Sequence, residues 1–239
     1  MERKERIEEE FELREEEEAV HEYEALTDNF LHITASLIAD EVVQMVEGRA
    51  GVVVDLGAGP GSLVREMATR LPQFVVIGLD ISLPMAQRAK ERLRAEGVKN
   101  ALFVVADVHR LPFKSKSMDV IVSHGSMHHW HRVDIALAEV KRVMVEEGFI
   151  YLSDLRRDAP EEAIQKIVGI LSKRQTRAFL NSVRAAYTIE ELSALVEKAG
   201  LKHVRVEPED FSRRAIARNI RKLKESPMRG FVRLPLTFG

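Results

Sequence analysis

The sequence predicts an α/β fold: a doubly wound, mostly parallel sheet with helices on both faces. Three observations predict it. Between residues 51 and 154, five short apolar runs alternate with stretches of helical period. The runs are rich in Val, Ile and Leu without polar alternation, as strands covered on both faces are. Three acids, Asp55, Asp80 and Asp107, stand at or near the ends of the first three runs, where open parallel sheets bind ligands.

The elements follow in order. Residues 51–57, Gly-Val-Val-Val-Asp-Leu-Gly, make a first strand closed by glycine, and residues 62–71 a helix stopped by Pro72. Residues 74–80 are the second strand. Ser82 then caps a helix that tolerates Pro84 in its first turn and runs to Gly97. Residues 101–107 and 118–123 are the third and fourth strands, 132–145 a helix and 148–154 the fifth strand. Beyond it the chain turns helical. Asp158 with Glu161 has the spacing of a capping box opening residues 159–171, and Thr188 with Glu191 of another opening 189–199. Gly200 ends that helix, residues 201–206 alternate like a strand, and residues 211–218 fit either an edge strand or a helix.

The ends differ from this middle. Residues 2–24 hold twelve Glu against three Arg and one Lys, with Ile7, Phe11 and Arg14 at helical spacing. That predicts an acidic helical arm over residues 1–30, feebly amphipathic and held by charge rather than by apolar burial. Residues 212–233 carry eight Arg or Lys against Glu225 alone, which marks 212–239 as a basic tail beyond a body of residues 31–211. Arm and tail can attract each other within one chain or between chains, so the charged termini leave a homo-oligomer open.

Composition narrows the function. Of 239 residues, 45% are hydrophobic, enough for a buried core. The 36 Lys plus Arg against 38 Asp plus Glu speak against a nucleic-acid partner. There is no cysteine, which excludes disulfides, Cys-ligated zinc, iron–sulfur clusters and thiol nucleophiles. No leader pattern and no apolar run near the roughly 18 residues of a membrane span is visible, so a cytoplasmic location is expected. Charged residues make up 31% while Asn and Gln together number nine, a bias seen in heat-adapted proteins.

The strongest chemical signal is Asp55-Leu56-Gly57-Ala58-Gly59-Pro60-Gly61-Ser62, which follows a strand and opens a helix. Glycines there permit positive φ and let the backbone approach a ligand. The spacing is G-x-G-x-G, not the G-x-G-x-x-G of dinucleotide sites, and no phosphate-binding G-x-x-x-x-G-K-[ST] occurs. Taken singly, the glycines could merely turn a strand into a helix, and Asp80 or Asp107 could merely cap a turn.

In order and spacing these segments resemble the motifs of the class I S-adenosylmethionine (SAM) methyltransferases. The loop resembles the family's first motif. Asp80 stands where the family bonds the cofactor ribose, and Asp107 where it meets the adenine amino group. Residues 119–130, Asp-Val-Ile-Val-Ser-His-Gly-Ser-Met-His-His-Trp, look like the fourth motif of the small-molecule "methyltransferase type 11" (ubiquinone/menaquinone-methyltransferase-like) branch, as does Leu111-Pro-Phe113 after strand three. The resemblance spans roughly residues 45–155. It implies a Rossmann-like fold with an extra N-terminal helix and a helical insert after strand five. It also implies SAM as cofactor, S-adenosylhomocysteine (SAH) as product and a small or medium-sized methyl acceptor. The cofactor-binding residues it implies are Asp55, Gly57, Ala58, Gly59, Gly61, Asp80, Ile81, Met85, Asp107, Val108 and Ser123.

Four histidines, His124, His128, His129 and His131, crowd after strand four. Imidazoles suit Zn, Ni or Cu, yet the resemblance accounts for His128 and His129 without metal, and no metal is assigned. His128, then His129, are the candidate catalytic residues, as a base or as groups that orient the acceptor; ordinary packing is the alternative. Asp154, Arg156, Arg157 and Tyr187 are weaker candidates on the acceptor side. Without cysteine, arsenic-binding thiol chemistry is excluded. No Asn-Pro-Pro-Tyr or Asp-Pro-Pro-Tyr follows strand four, which disfavours methylation of base and glutamine amines. Two other readings stand beside catalysis: a SAM-binding regulatory or assembly protein without turnover, and a nicotinamide oxidoreductase, which the glycine spacing disfavours.

Overall fold

The computed structural model describes residues 5–7, 34–201, 204–210 and 229–235. Residues 34–45 are helical (α1). There follow β1 (Gly51–Leu56), α2 (Ser62–Arg70), β2 (Phe74–Asp80), α3 (Leu83–Ala95), β3 (Ala101–Val105) and β4 (Met118–His124). A single 3₁₀ turn, Met127–His129, leads to α4 (Val133–Val143) and the long β5 (Met144–Leu155). Then come α5 (Glu161–Val168), α6 (Lys173–Ala185), α7 (Ile189–Lys198), β6 (Glu207–Asp210) and β7 (Arg229–Pro235).

The strands form one sheet in the order β3-β2-β1-β4-β5-β7-β6. β1 to β5 pair in parallel, while β7 runs antiparallel to both β5 and β6. The doubly wound expectation holds. Successive strand residues divide between two cores, as a period of two requires. Val54, Leu56, Ile121, Ile150 and Leu152 join α4 and α7 on one face. Val53, Val76, Val120, Val122 and Tyr151 join α1 and α2 on the other. Helix α4 presents Val133, Ala136, Leu137, Val140 and Val143 inward, the stripe its i, i+3, i+4, i+7 spacing dictates. No helix among the described residues is long and apolar enough to cross a membrane.

Several boundaries differ from expectation. Asp158 does not cap α5. Pro160 occupies the cap position, and the Asp158 carboxylate instead accepts from Arg156 Nε and Nη2 at 2.9 and 3.0 Å. Helix α6, not anticipated as a separate element, begins with a reciprocal Ser172–Gln175 capping box. The Thr188–Glu191 box forms as expected. The strand expected at 201–206 falls at Glu207–Asp210 instead, after Gly200 at φ 71° has reversed the chain. β3 ends at Val105, so Asp107 sits in the following turn. The body does not stop at residue 211: residues 229–235 of the expected basic tail pair with β5 through five residues. The edge element expected at 211–218 lies outside the described residues.

Most of the acidic arm and residues 212–228 of the tail also lie outside them, and with them the expected charge pairing of arm and tail. Arg6 Nε donates to the Ala185 carbonyl at 2.7 Å and Nη2 to that of His128 at 3.3 Å, while its guanidinium lies 4.3 Å from the Tyr187 ring centroid. The Ile7 amide reaches the Arg184 carbonyl at 3.4 Å. The cation thus meets two carbonyls and a ring face, which supply partial negative charge.

Candidate active site

The carboxyl ends of β1 and β2 build the first half of the site. The amides of Gly57 and Ala58 both donate to the Leu79 carbonyl, at 2.8 and 3.0 Å, folding the loop back over β2. Gly57, Gly59 and Gly61 have φ of 72°, 50° and 81°. At Gly57 a Cβ would also lie 2.3 Å from Ser126 Oγ, so the loop needs glycine both for its conformation and for its approach to the turn after β4. Ser123 and Ser126 brace that contact from below, each donating to the Leu56 carbonyl, at 2.7 and 3.0 Å.

Asp80 faces the loop. Its two oxygens accept the amides of Gly59 (2.7 Å) and Ser82 (2.8 Å). Burial pushes its carboxyl up, against the pull of the Ser82, Gly59 and Ile81 amides. Asp55 is buried with no hydrogen bond to its carboxylate among the described residues, and burial, then the Asp80 charge, raise its pKa to about 8. Ala58 is buried, Ile81 is exposed, and Met85 is half-buried with its amide on Ser82 Oγ at 3.4 Å. Asp107 is half-exposed and accepts the His109 amide at 2.9 Å and its ring Nδ1 at 2.5 Å. Burial works to raise its carboxyl, but His109 and His131 together hold it below the usual range. Val108 turns inward to the core.

The second half lies at the ends of β4 and β5. His128 is buried in the 3₁₀ turn, and its Nδ1 stands 2.6 Å from Asp154 Oδ1. The His128 amide donates to Asp154 Oδ2 and the Leu155 amide to Oδ1, both at 2.7 Å. Burial would raise Asp154, but the His128 ring and these amides outweigh it and hold the carboxyl low. The His129 ring sits 4.0 Å from that of His128, tilted by 44°. His124 points elsewhere: its Nε2 meets Thr34 Oγ1 at 2.9 Å, and burial lowers its pKa to about 4. His131 is exposed. The four histidines therefore diverge, and no group of three or more His, Asp or Glu among the described residues is placed to hold a metal ion.

Comparison with known proteins meets this geometry. Residues 53–148 match the model of a methyltransferase domain family. That stretch runs from β1 to β5 and contains the loop, Asp55, Asp80, Asp107 and the histidine turn. Over this stretch the chain is similar to methyltransferase domains. It is 27% identical to a malonyl-[acyl-carrier protein] O-methyltransferase of Geobacter sulfurreducens over 158 residues, covering 66% of this chain and 58% of that protein. The chain spans about half the length of the curated relatives it matches. Two crystal structures share the fold. One, from Methanococcus maripaludis and described as a SAM-dependent methyltransferase, has TM-score 0.73 at 19% identity, covering 98% of this chain and 97% of the other. The plantazolicin methyltransferase BamL, in complex with SAH and a triazolic desmethylPZN analog, has TM-score 0.73 at 17% identity, covering 94% and 92%.

The structure gathers Asp55, Gly57, Ala58, Gly59, Gly61 and Asp80 at the carboxyl ends of β1 and β2, with Ser123 beneath the loop. It brings His128 and His129 together and separates them from His124 and His131. Arg156 and Arg157 are engaged in the scaffold: Arg156 with Asp158, Arg157 with Glu191 and, at 2.6 Å, the Ala186 carbonyl. Two roles escaped the sequence reading. Ser126 seats Gly57, and Asp154 holds the His128 ring. The only sequence signal for the second was an acid ending strand five, as acids end strands one and two.

Proposed function

We propose that this protein transfers the methyl group of SAM to a small or medium-sized acceptor by in-line displacement. The observation that carries the reading is the pair of buried acids, Asp55 and Asp80, beside a positive-φ glycine loop on adjacent parallel strands. Among the described residues no cation compensates either acid, which suits a ligand bearing an ammonium and a sulfonium. SAM, when bound, supplies an activated methyl on an excellent leaving group. On this reading the loop amides and Asp55 hold the amino-acid end, and Asp80 takes the ribose hydroxyls by charged hydrogen bonds. Ile81 and Met85 pack on the adenine, and Asp107 with Val108 lines its edge. Ser123 fixes the loop from below. His128, ahead of His129, stands on the acceptor side. Since the leaving group is supplied, the chain's main contribution is position and exclusion of water.

The test is to incubate the full chain with methyl-labelled SAM and fractionated cell extract, following SAH and labelled products by mass spectrometry. SAH formed together with one labelled product class supports the reading. SAM that is neither bound nor consumed overturns it.

A further inference from the structure

We infer that His109 is a positioning residue of the cofactor site: its ring holds the Asp107 carboxylate in place for the amino group of a purine and ties it to the start of α4. The inference rests on the function just proposed and adds a residue to its adenine end. It makes His109, through Asp107, a determinant of which purine the site accepts.

The first support is the hydrogen bonding around Asp107. β3 ends at Val105, and the Ala106 amide donates to the Asp80 carbonyl at 3.0 Å, so Asp107 stands beside the carboxyl end of β2. Its Oδ1 accepts the His109 amide at 2.9 Å and faces the His109 ring Nδ1 at 2.5 Å. Both donors meet the same oxygen. Among the described residues no donor reaches Oδ2, and the side chain is 51% exposed. A half-exposed carboxylate held only by its own turn would swing between rotamers, and ordering it would weaken ligand binding. The His109 ring orders it in advance and leaves one oxygen as an acceptor.

The second support is the tautomer. The Arg132 amide donates to His109 Nε2 at 3.1 Å, and an amide nitrogen cannot accept, so Nε2 carries the lone pair. The proton then lies on Nδ1, the atom that meets Asp107. A carboxylate on one nitrogen and a backbone donor on the other leave the neutral ring a single arrangement. The third support is what Arg132 belongs to. It occupies the cap position of α4, and its guanidinium is held by Asp134 at 3.0 and 2.9 Å. Farther along α4, Glu139 accepts the Leu111 amide at 2.8 Å, and Arg142 donates to the Leu111 and Phe113 carbonyls at 3.0 and 2.9 Å. The turn after β3 is thus fastened to α4 in two places, and His109 is the fastening nearer the acid. His131, the other group whose charge reaches Asp107, is exposed, so water screens it and the geometry is left to His109. An amino group can donate to Oδ2; a carbonyl at the same place sets oxygen against a carboxylate and gains nothing.

The deciding experiment is calorimetric titration of the full chain with SAH and with S-inosylhomocysteine, whose purine carries a carbonyl where adenine carries the amino group. Wild type should prefer SAH by about 10-fold or more, the scale of one hydrogen bond to a charged acceptor. His109→Asn keeps an amide nitrogen near the place of Nδ1, whereas His109→Gln keeps an amide near that of Nε2. His109→Asn should therefore retain most of the preference, and His109→Gln should lose about 5-fold or more of it. A merely structural His109 would weaken both ligands alike and leave the ratio unchanged. No preference in wild type, an equal ratio in His109→Gln, or a larger loss in His109→Asn overturns the inference. So does an unchanged ratio in Asp107→Asn, the control that Asp107 reads the purine. The ¹⁵N spectrum of the histidine-labelled chain, with the His109 signals assigned by their absence from His109→Gln, checks the wiring without ligand. The neutral ring should carry its proton on Nδ1, and a proton on Nε2 overturns the inference. Failure of the wild type to bind SAH at all would instead reject the methyltransferase reading, so the two failures are distinguishable.

Discussion

Asp55 and Asp154 are equally buried, each 2% exposed, and both lie at the carboxyl ends of parallel strands. Their acidities move in opposite directions. Asp55, against Asp80, is raised to about 8; Asp154, against the His128 ring and two amides, is held low. Burial alone raises both. What separates them is whether the protein itself supplies the compensating donor. At the β1–β2 end no hydrogen bond reaches the Asp55 carboxylate among the described residues, whereas at the β4–β5 end a histidine and two amides compensate Asp154.

The largest expected contrast is in stability. Asp154→Asn removes the anion from a buried pair and should destabilise the fold by about 3–5 kcal/mol. Asp55→Asn removes a buried carboxyl that lacks a donor and should be neutral or stabilising in the absence of cofactor. Urea unfolding of the two variants measures this directly, and equal losses would erase the contrast. Next in size is the pH dependence of the same unfolding free energy. Asp55 is raised from 3.8 to about 8, so between those values the unfolded chain is ionised while the folded one is not. Stability from this group is full at low pH and is lost as pH rises to about 8. His124 is lowered from 6.5 to about 4, so its contribution is full above 6.5 and is lost as pH falls toward 4. Asp55→Asn should therefore abolish the alkaline loss and leave the acid one. The smallest expected effect is that of chelation. Methyl transfer from a sulfonium needs no Lewis acid, so turnover should survive EDTA; its loss, with recovery on adding back one divalent ion, would give the histidines a metal role.

The two halves also differ in how far they can be read from sequence. The β1–β2 end is local. Asp55 and the three glycines fall within seven residues, and β1 and β2 are adjacent in chain and sheet, so strand pattern and loop spacing reveal it. The β4–β5 end is assembled across distance. His128 and Asp154 are 26 residues apart, and Arg6 is 122 residues from His128. No periodicity announces such contacts. The same holds for β7, whose arginines read as a solvated tail although its backbone completes the sheet beside β5. Asp158 shows the converse: its spacing suits a cap, but Arg156 two residues away takes the carboxylate.

The central claim is that Asp55, Asp80 and the glycine loop at the β1–β2 end form a SAM site. Isothermal titration of the full chain with SAH, SAM and NAD, in wild type and Asp80→Ala, tests it most directly. SAH and SAM should bind at one site per chain and NAD should not. Loss of Asp80 should cost about 1.5–3 kcal/mol of SAM and SAH affinity, the scale of a charged hydrogen-bond partner. Undiminished affinity in a folded Asp80→Ala variant, or NAD binding in place of SAH, would contradict the account.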